Sequence, residues 1–285
     1  MAISSERGKL IFRKTERDLL RLASDHTPDI VHSFRTTSRR LQVLLEQLIP
    51  GTRRNQKKLL KVLARIRRKA GHVRDLDAQL SALRRLKVSI EPRRKTEFTQ
   101  HLLELREKHE SKLSKLLKKR DVRETAKRLR RALRDADLET QSDPLTVARQ
   151  MLHSVPLHNG RADEAYLHKY RVAVKRARYA AEFAPKSAEA TQFIAQLQRL
   201  QNALGHWHDW LILTQTATEH LGEINQSPLV AALNNVTRGK FRLALSEMSA
   251  SNPIPATAKS GVITQSGRKV TALESAPAPR TETAA

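Results

Sequence analysis

Cysteine is absent from the 285 residues, which excludes a disulfide scaffold, a zinc-thiolate finger, an iron–sulfur protein and a cysteine nucleophile. Aromatic residues make up 4%, thin for a β-sandwich or barrel and for a platform that stacks nucleobases on rings. Nine glycines leave little material for β-turns or phosphate-cradling loops. No run reaches the roughly 18 uninterrupted apolar residues of a spanning helix, so no membrane partner is expected. Met1 to Arg21 alternates charged and apolar residues, unlike a secretory signal, and the expected compartment is the cytoplasm.

What the chain does have is positive charge. Lys and Arg number 54 against 29 Asp and Glu, a formal charge of +25. Residues 1–150 hold 39 basic and 19 acidic side chains and residues 151–285 hold 15 and 10, so the halves carry +20 and +5. Solubility alone does not require one sign to dominate so strongly. A polyanionic partner that releases counterions as it binds would relieve the self-repulsion.

Hydrophobic residues at 39% suffice for a core, and their spacing follows the helical period with no sustained alternation of period two. Helices are predicted over Leu10–Ser24, from Pro28 to about Leu48, and from Thr52 to about Leu86 with a break or kink near Gly71. Two more run from Pro92 to about Lys119 and over Asp121–Arg134. After a polar joint at 141–143, further helices cover Leu145–Leu152, Asp163–Ala184, Ser187–Leu221 and Pro228–Met248. This places one helical domain over 1–250, with repeats at about 10–135 and 144–248. Residues 251–285, rich in Ala, Ser, Thr and Pro, read as a disordered tail.

The repeat is explicit in two motifs. His32-Ser33-Phe34-Arg35, followed by Arg39-Arg40, returns 136 positions later as His168-Lys169-Tyr170-Arg171 followed by Lys175-Arg176. Gly71-His72-Val73-Arg74-Asp75 returns after 134 positions as Gly205-His206-Trp207-His208-Asp209. Two motifs in one order at nearly one offset point to duplication of a helical unit. At about 100° per residue, His32, Arg35 and Arg39 fall together, opposite Phe34, Leu41, Leu45 and Leu48. The same division places His168, Arg171 and Lys175 opposite Tyr170, Ala177 and Ala181. In the third helix Lys61, Arg65, Arg68 and His72 form a basic stripe opposite Leu59, Leu63, Ile66 and Ala70, and Arg199 and His206 stand where Arg65 and His72 do.

The arginine-rich helix at His32, its copy at His168 and the two glycine-to-aspartate segments resemble the two halves of a CHAD domain, the conserved-histidine α-helical domain, over roughly Leu10 to Met248. That resemblance implies an all-α fold of two four-helix bundles related by an internal pseudo-two-fold axis. It also implies a basic groove or channel between them that binds inorganic polyphosphate, often on polyphosphate granules. The E-x-E-x-K signature of a fused triphosphate-tunnel hydrolase is absent, so the chain reads as a stand-alone member.

Polyphosphate offers a row of charges and no base edges, so a row of cations suits it. The expected lining is His32, Arg35, Arg39, Arg40, Lys61, Arg65, Arg68 and His72 from the first half, with His168, Arg171, Lys175, Arg176, Arg199 and His206 from the second. Arginines would grip phosphate oxygens as forks, lysines would act as point charges, and histidines would gain charge as pH falls toward about 6.5. Asp75 and Asp209 are expected to be structural, holding an arginine or capping a helical stretch. The chain lacks a phosphate-binding loop with its G-K-[ST] ending, an H-E-x-x-H pair and a G-x-S-x-G elbow, so a non-enzymatic, cofactor-free protein is expected. A metal site at His206, His208 and Asp209 is disfavoured by helical spacing that does not converge on one ion, and His208 is Arg74 in the first copy. Alternatives are a basic helical protein that binds nucleic acid, nonspecifically at low salt, or a scaffold attaching other proteins to granules. No oligomeric state is assigned.

Overall fold

A computed structural model describes residues 5–49, 51, 53–86, 91–139, 142–156 and 162–251. Among these the protein is all-helical. Its helices are α1 (Ser5–Ser24), α2 (Pro28–Val43), α3 (Arg54–Arg85), α4 (Pro92–Ser114), α5 (Lys119–Arg134), α6 (Pro144–His153), α7 (Glu164–Ala181), α8 (Ala188–Leu221) and α9 (Pro228–Ser251). No helix among the described residues is long and apolar enough to cross a membrane. The tail expected from 251 onward lies, beyond Ser251, outside the described residues, as does Thr52, the expected cap of α3.

Local chemistry accounts for most helix starts. Pro28, Pro144 and Pro228 stand at the first position of α2, α6 and α9, where their fixed φ suits a helix and their missing N–H costs nothing. Asp143, Asp163 and Ser187 accept hydrogen bonds from the amides of Thr146, Tyr166 and Ala190 at 2.8, 2.7 and 3.0 Å, satisfying first-turn donors of α6, α7 and α8. Between α4 and α9 the cap is shared. The Glu91 carboxylate accepts from Ser227 Oγ at 3.0 Å and from the Leu229 amide at 3.2 Å, fixing the start of α9.

Several features differ from expectation, beginning with α1, which starts at Ser5 rather than Leu10. α3 runs unbroken through Gly71. A mid-helix glycine costs only about 1 kcal/mol, and side chains buried along the 32-residue helix keep it continuous. α4 ends at Ser114, and α5 begins at Lys119. α2 closes in a π-helical turn over Leu44–Leu48, which keeps Leu44, Leu45 and Leu48 all in the core. Leu20 of α1 is exposed.

The apolar side chains gather in two cores cut across the repeats. The larger takes Phe12, Phe34, Leu45 and Leu63 from the first half together with Tyr170, Val174, Leu200 and Trp207 from the second. The smaller joins Leu76, Leu80 and Leu83 of α3, Phe98 and Leu102 of α4, Leu213 of α8 and Leu229, Val230 and Leu233 of α9. Each half therefore completes the cores of the other. The packing brings α2 against α7 and α3 against α8, which sets the duplicated motifs face to face.

Candidate functional site

At the meeting of α2, α3, α7 and α8, six cations lie in one electrostatic neighbourhood: Arg35 and Arg39 of α2, Arg67 and Arg74 of α3, and Arg171 and Lys175 of α7. Three carboxylates, Asp75, Asp209 and Glu46, oppose them. The Asp75 Oδ1 stands 3.8 Å from Arg35 Nη2 with its side chain 61% exposed. Arg35 also donates to the Arg67 carbonyl at 3.3 Å. Its guanidinium lies over Gly71, where any Cβ would collide with it. The glycine thus admits the arginine against the helix backbone.

Burial and like charge act together here. Burial, with Arg171 and Arg39 adding to it and Asp209 opposing it, pushes the Lys175 ammonium down to about 7. Burial likewise lowers Arg35 and Arg67 to about 10, and it lowers Arg171. Burial raises the carboxyl of Asp209, against the pull of Arg171 and Lys175. His208 falls to about 3 through burial and the field of Arg171, and His168, its ring 5.3 Å away, is lowered by burial and then by Arg171. His32 keeps an exposed edge yet is lowered by desolvation and by Arg74, Arg35 and Lys175. These three histidines are therefore neutral, hydrogen-bonding groups at neutral pH, and Lys175 is the group of this cluster that titrates there. The Nε of Arg171 and Nδ1 of His208 are buried with no hydrogen-bond partner among the described residues. A native structure seldom leaves such donors idle, except where a ligand or water completes them.

Around the cluster lies a frame of paired arginines. Arg178 donates to Gln201 at 2.8 Å, Gln198 at 2.8 Å and Glu182 at 2.7 Å. Arg40 donates to Glu182 at 2.6 Å from the opposite half. Both guanidinium groups stand over the Tyr179 ring, at 5.1 and 5.6 Å. Arg67 donates to Gln42 Oε1 at 2.5 Å and to the Ser38 carbonyl at 3.3 Å.

Of the residues expected at the site, His32, Arg35, Arg39, His168, Arg171 and Lys175 are brought together, and Arg40 borders them through Glu182. The others lie elsewhere. Lys61, Arg65 and Arg68 are exposed, about 120° around α3 from Arg67 and Arg74. His72 stacks on His109 of α4, ring centres 4.8 Å apart. Arg199 and His206 are exposed on α8, about 150° from the face of Gln201 and His208. Arg176 is exposed and lines a separate cavity with Gln47, Lys169 and Val172. The expectation passed over Arg67, Arg74, Arg178 and His208. The signal for the α3 members was Gly71, which lies under Arg35, whereas Gly205 of α8 has open space where a side chain would be. Among the described residues no group of three or more His, Asp or Glu is arranged to hold a metal.

A family model described as the CHAD domain matches residues 10–218. Among solved structures, the chain is similar to PptA from Streptomyces chartreusis, with a TM-score of 0.61 and 16% identity over 89% of this chain and 99% of that one. It is also similar to the CHAD domain from the plant Ricinus communis, with a TM-score of 0.57 and 19% identity over 89% of each chain. At these identities the likeness is one of fold. No curated protein matches.

Proposed function

The chain belongs to the CHAD-domain family, and on that premise we propose that it binds inorganic polyphosphate at the junction of α2, α3, α7 and α8, without chemical conversion of the polymer. The observation that carries this reading is the excess of six cations over three carboxylates at this junction, where Arg35, Arg67, Arg171 and Lys175 are all lowered by burial. Buried charge without a counterion is costly, and an anion drawn in among these groups recovers that cost. A phosphate chain presents oxygens all around its backbone, so converging arginine forks can engage it at any rotation. His32, His168 and His208 supply neutral donors that do not add to the repulsion of the empty site. The Nε of Arg171 is one donor that a phosphate oxygen would satisfy.

Such a protein would reside in the cytoplasm and gather on polyphosphate granules, with residues 252–285 as a spacer or docking segment. Titration of long-chain polyphosphate into wild-type protein and an Arg35→Ala/Arg171→Ala variant tests the site. Loss of at least about tenfold in affinity is expected, because each charge-assisted hydrogen bond is worth about 1.5–3 kcal/mol. Equal affinities would overturn the assignment.

A further inference from the structure

We propose a second polyanion-binding surface, formed by an exposed row of five cations on α5 beside the outer face of α3 from Lys57 to Arg68, which takes the outer run of the phosphate chain whose inner run occupies the central cluster. The inference rests on the function proposed above. α5 is a 16-residue helix with Val122, Ala126, Leu129 and Ala132 buried. Opposite them Arg120, Arg123, Lys127, Arg131 and Arg134 are all exposed. At 100° per residue these five fall within an arc of about 80° and extend over about 21 Å.

The pairing of neighbouring charges leaves that row bare. Arg128 is held by Glu124 at 3.1 Å and Arg130 by Glu16 at 2.6 Å. Among the described residues none of the five has a carboxylate within 4.0 Å. α3 adds to the field, because the chain has no Asp or Glu between Glu46 and Asp75 but ten Lys or Arg. Those on the outer face of α3 include Lys57, Lys61, Arg65 and Arg68, all exposed.

α3 joins the two sites. Its inward side carries Arg67 and Arg74 of the central cluster, and its outer row lies about 120° away. On a helix about 11 Å across, that is an arc of about 12 Å. α5 packs directly on α3. A flexible anion leaving the cluster therefore meets first the α3 row and then the α5 row. Neither helix contains Phe, Tyr or Trp, so no large aromatic platform for base stacking is present there, and a bare phosphate chain needs only the charges that the surface offers. Joining two weak runs on one chain raises affinity through effective concentration, which makes chain length the distinguishing variable.

The test compares tripolyphosphate, too short to leave the cluster, with long-chain polyphosphate at about 150 mM salt. The α5 variant carries Arg120, Arg123, Lys127, Arg131 and Arg134 changed to Gln. A control makes the same charge change at Lys169, Arg176, Lys186, Arg199 and Arg242, all exposed in the second half. All five α5 side chains are exposed, so unchanged circular dichroism and melting temperature are expected. The α5 variant should bind tripolyphosphate within about twofold of wild type but lose about tenfold or more for the long chain. Its salt slope should fall by about 3.5, as for five fewer contacts on a single-stranded polyanion. The control should keep its long-chain affinity within about threefold. An unchanged long-chain affinity in the α5 variant, or an equal loss in the control, overturns the proposal. So does a loss seen only with RNA or DNA. Wild-type protein that fails to bind tripolyphosphate contradicts the central site, whereas normal tripolyphosphate binding with no α5 effect contradicts the outer surface alone.

Discussion

Arg178 of α7 donates through Nε to Gln201 of α8 at 2.8 Å. Counted back by 136 and 134 positions, the same places hold Gln42 and Arg67, which form the same bond at 2.5 Å with donor and acceptor exchanged. The next position of the motif agrees. Arg178 reaches Glu182 one turn on, and Gln42 reaches Glu46 at 2.9 Å. An arginine–glutamine hydrogen bond thus joins α2 to α3 and another joins α7 to α8, with the arginine on the later helix in the first pair and on the earlier helix in the second.

This arrangement predicts thermodynamic coupling. A double-mutant cycle on Arg178→Met and Gln201→Leu, read by chemical denaturation, should give about 1–2 kcal/mol. A coupling energy near zero would mean that the bond contributes nothing to holding α7 on α8.

Lys175 predicts the pH dependence. Its folded, ligand-free value is about 7 against 10.5 unperturbed, so between those values the unfolded chain binds more protons and stability rises with pH. Melting temperature should climb from pH of about 7 to about 9, and Lys175→Met should remove that slope. A bound polyanion favours the ammonium, so polyphosphate affinity should fall as pH passes above about 7, by up to about tenfold per unit. Calorimetry in buffers of different ionisation enthalpy should show proton uptake on binding near pH 7.5 in wild type and less in the variant. An affinity that is flat from about pH 6 to about pH 9 contradicts this role.

Asp75 tests the carboxylates. Its pair with Arg35 is long, at 3.8 Å, and exposed, so Asp75→Asn should change stability by less than about 1 kcal/mol. Affinity for polyphosphate should rise a few-fold as one repulsive charge is removed. A stability loss of about 2 kcal/mol or more would show that the carboxylate is a structural support after all.

Arg106 separates stability from binding. It donates to the buried Asp77 at 2.7 Å, to Glu110 at 2.5 Å and to the His26 carbonyl at 3.1 Å. Arg106→Ala leaves Asp77 buried without its partner and should cost about 3 kcal/mol. Tripolyphosphate affinity measured well below the melting temperature should be unchanged. Loss of that affinity would mean that the α3–α4 contact shapes the cluster.

The helices and half of the site were legible in the sequence, each for a physical reason. Pro28, Pro144, Pro228 and Ser187 mark helix starts because their backbone or side-chain chemistry acts locally. The π-turn at Leu44–Leu48 was not legible, since the core that selects it comes from distant segments. The α2 and α7 members of the cluster could be read because their apolar faces are unambiguous. On α3 and α8, counting cations selected Lys61, Arg65, Arg68 and Arg199, and these are the exposed sides. Arg67 and Arg74 flank the core beside Gly71, where a glycine under Arg35 was the more informative residue. The division of the cores across the repeats depends on long-range packing that no local pattern encodes.

The most direct test of the central claim is a competition titration at about 150 mM salt between long-chain polyphosphate and charge-matched duplex DNA or RNA. It uses wild-type protein and a variant with Arg35, Arg39, Arg171 and Lys175 changed to Ala. The buried cluster predicts a strong preference for polyphosphate that the variant loses. Equal binding of every polyanion, with the variant only slightly weaker, would contradict it and reduce the cluster to a feature of the fold.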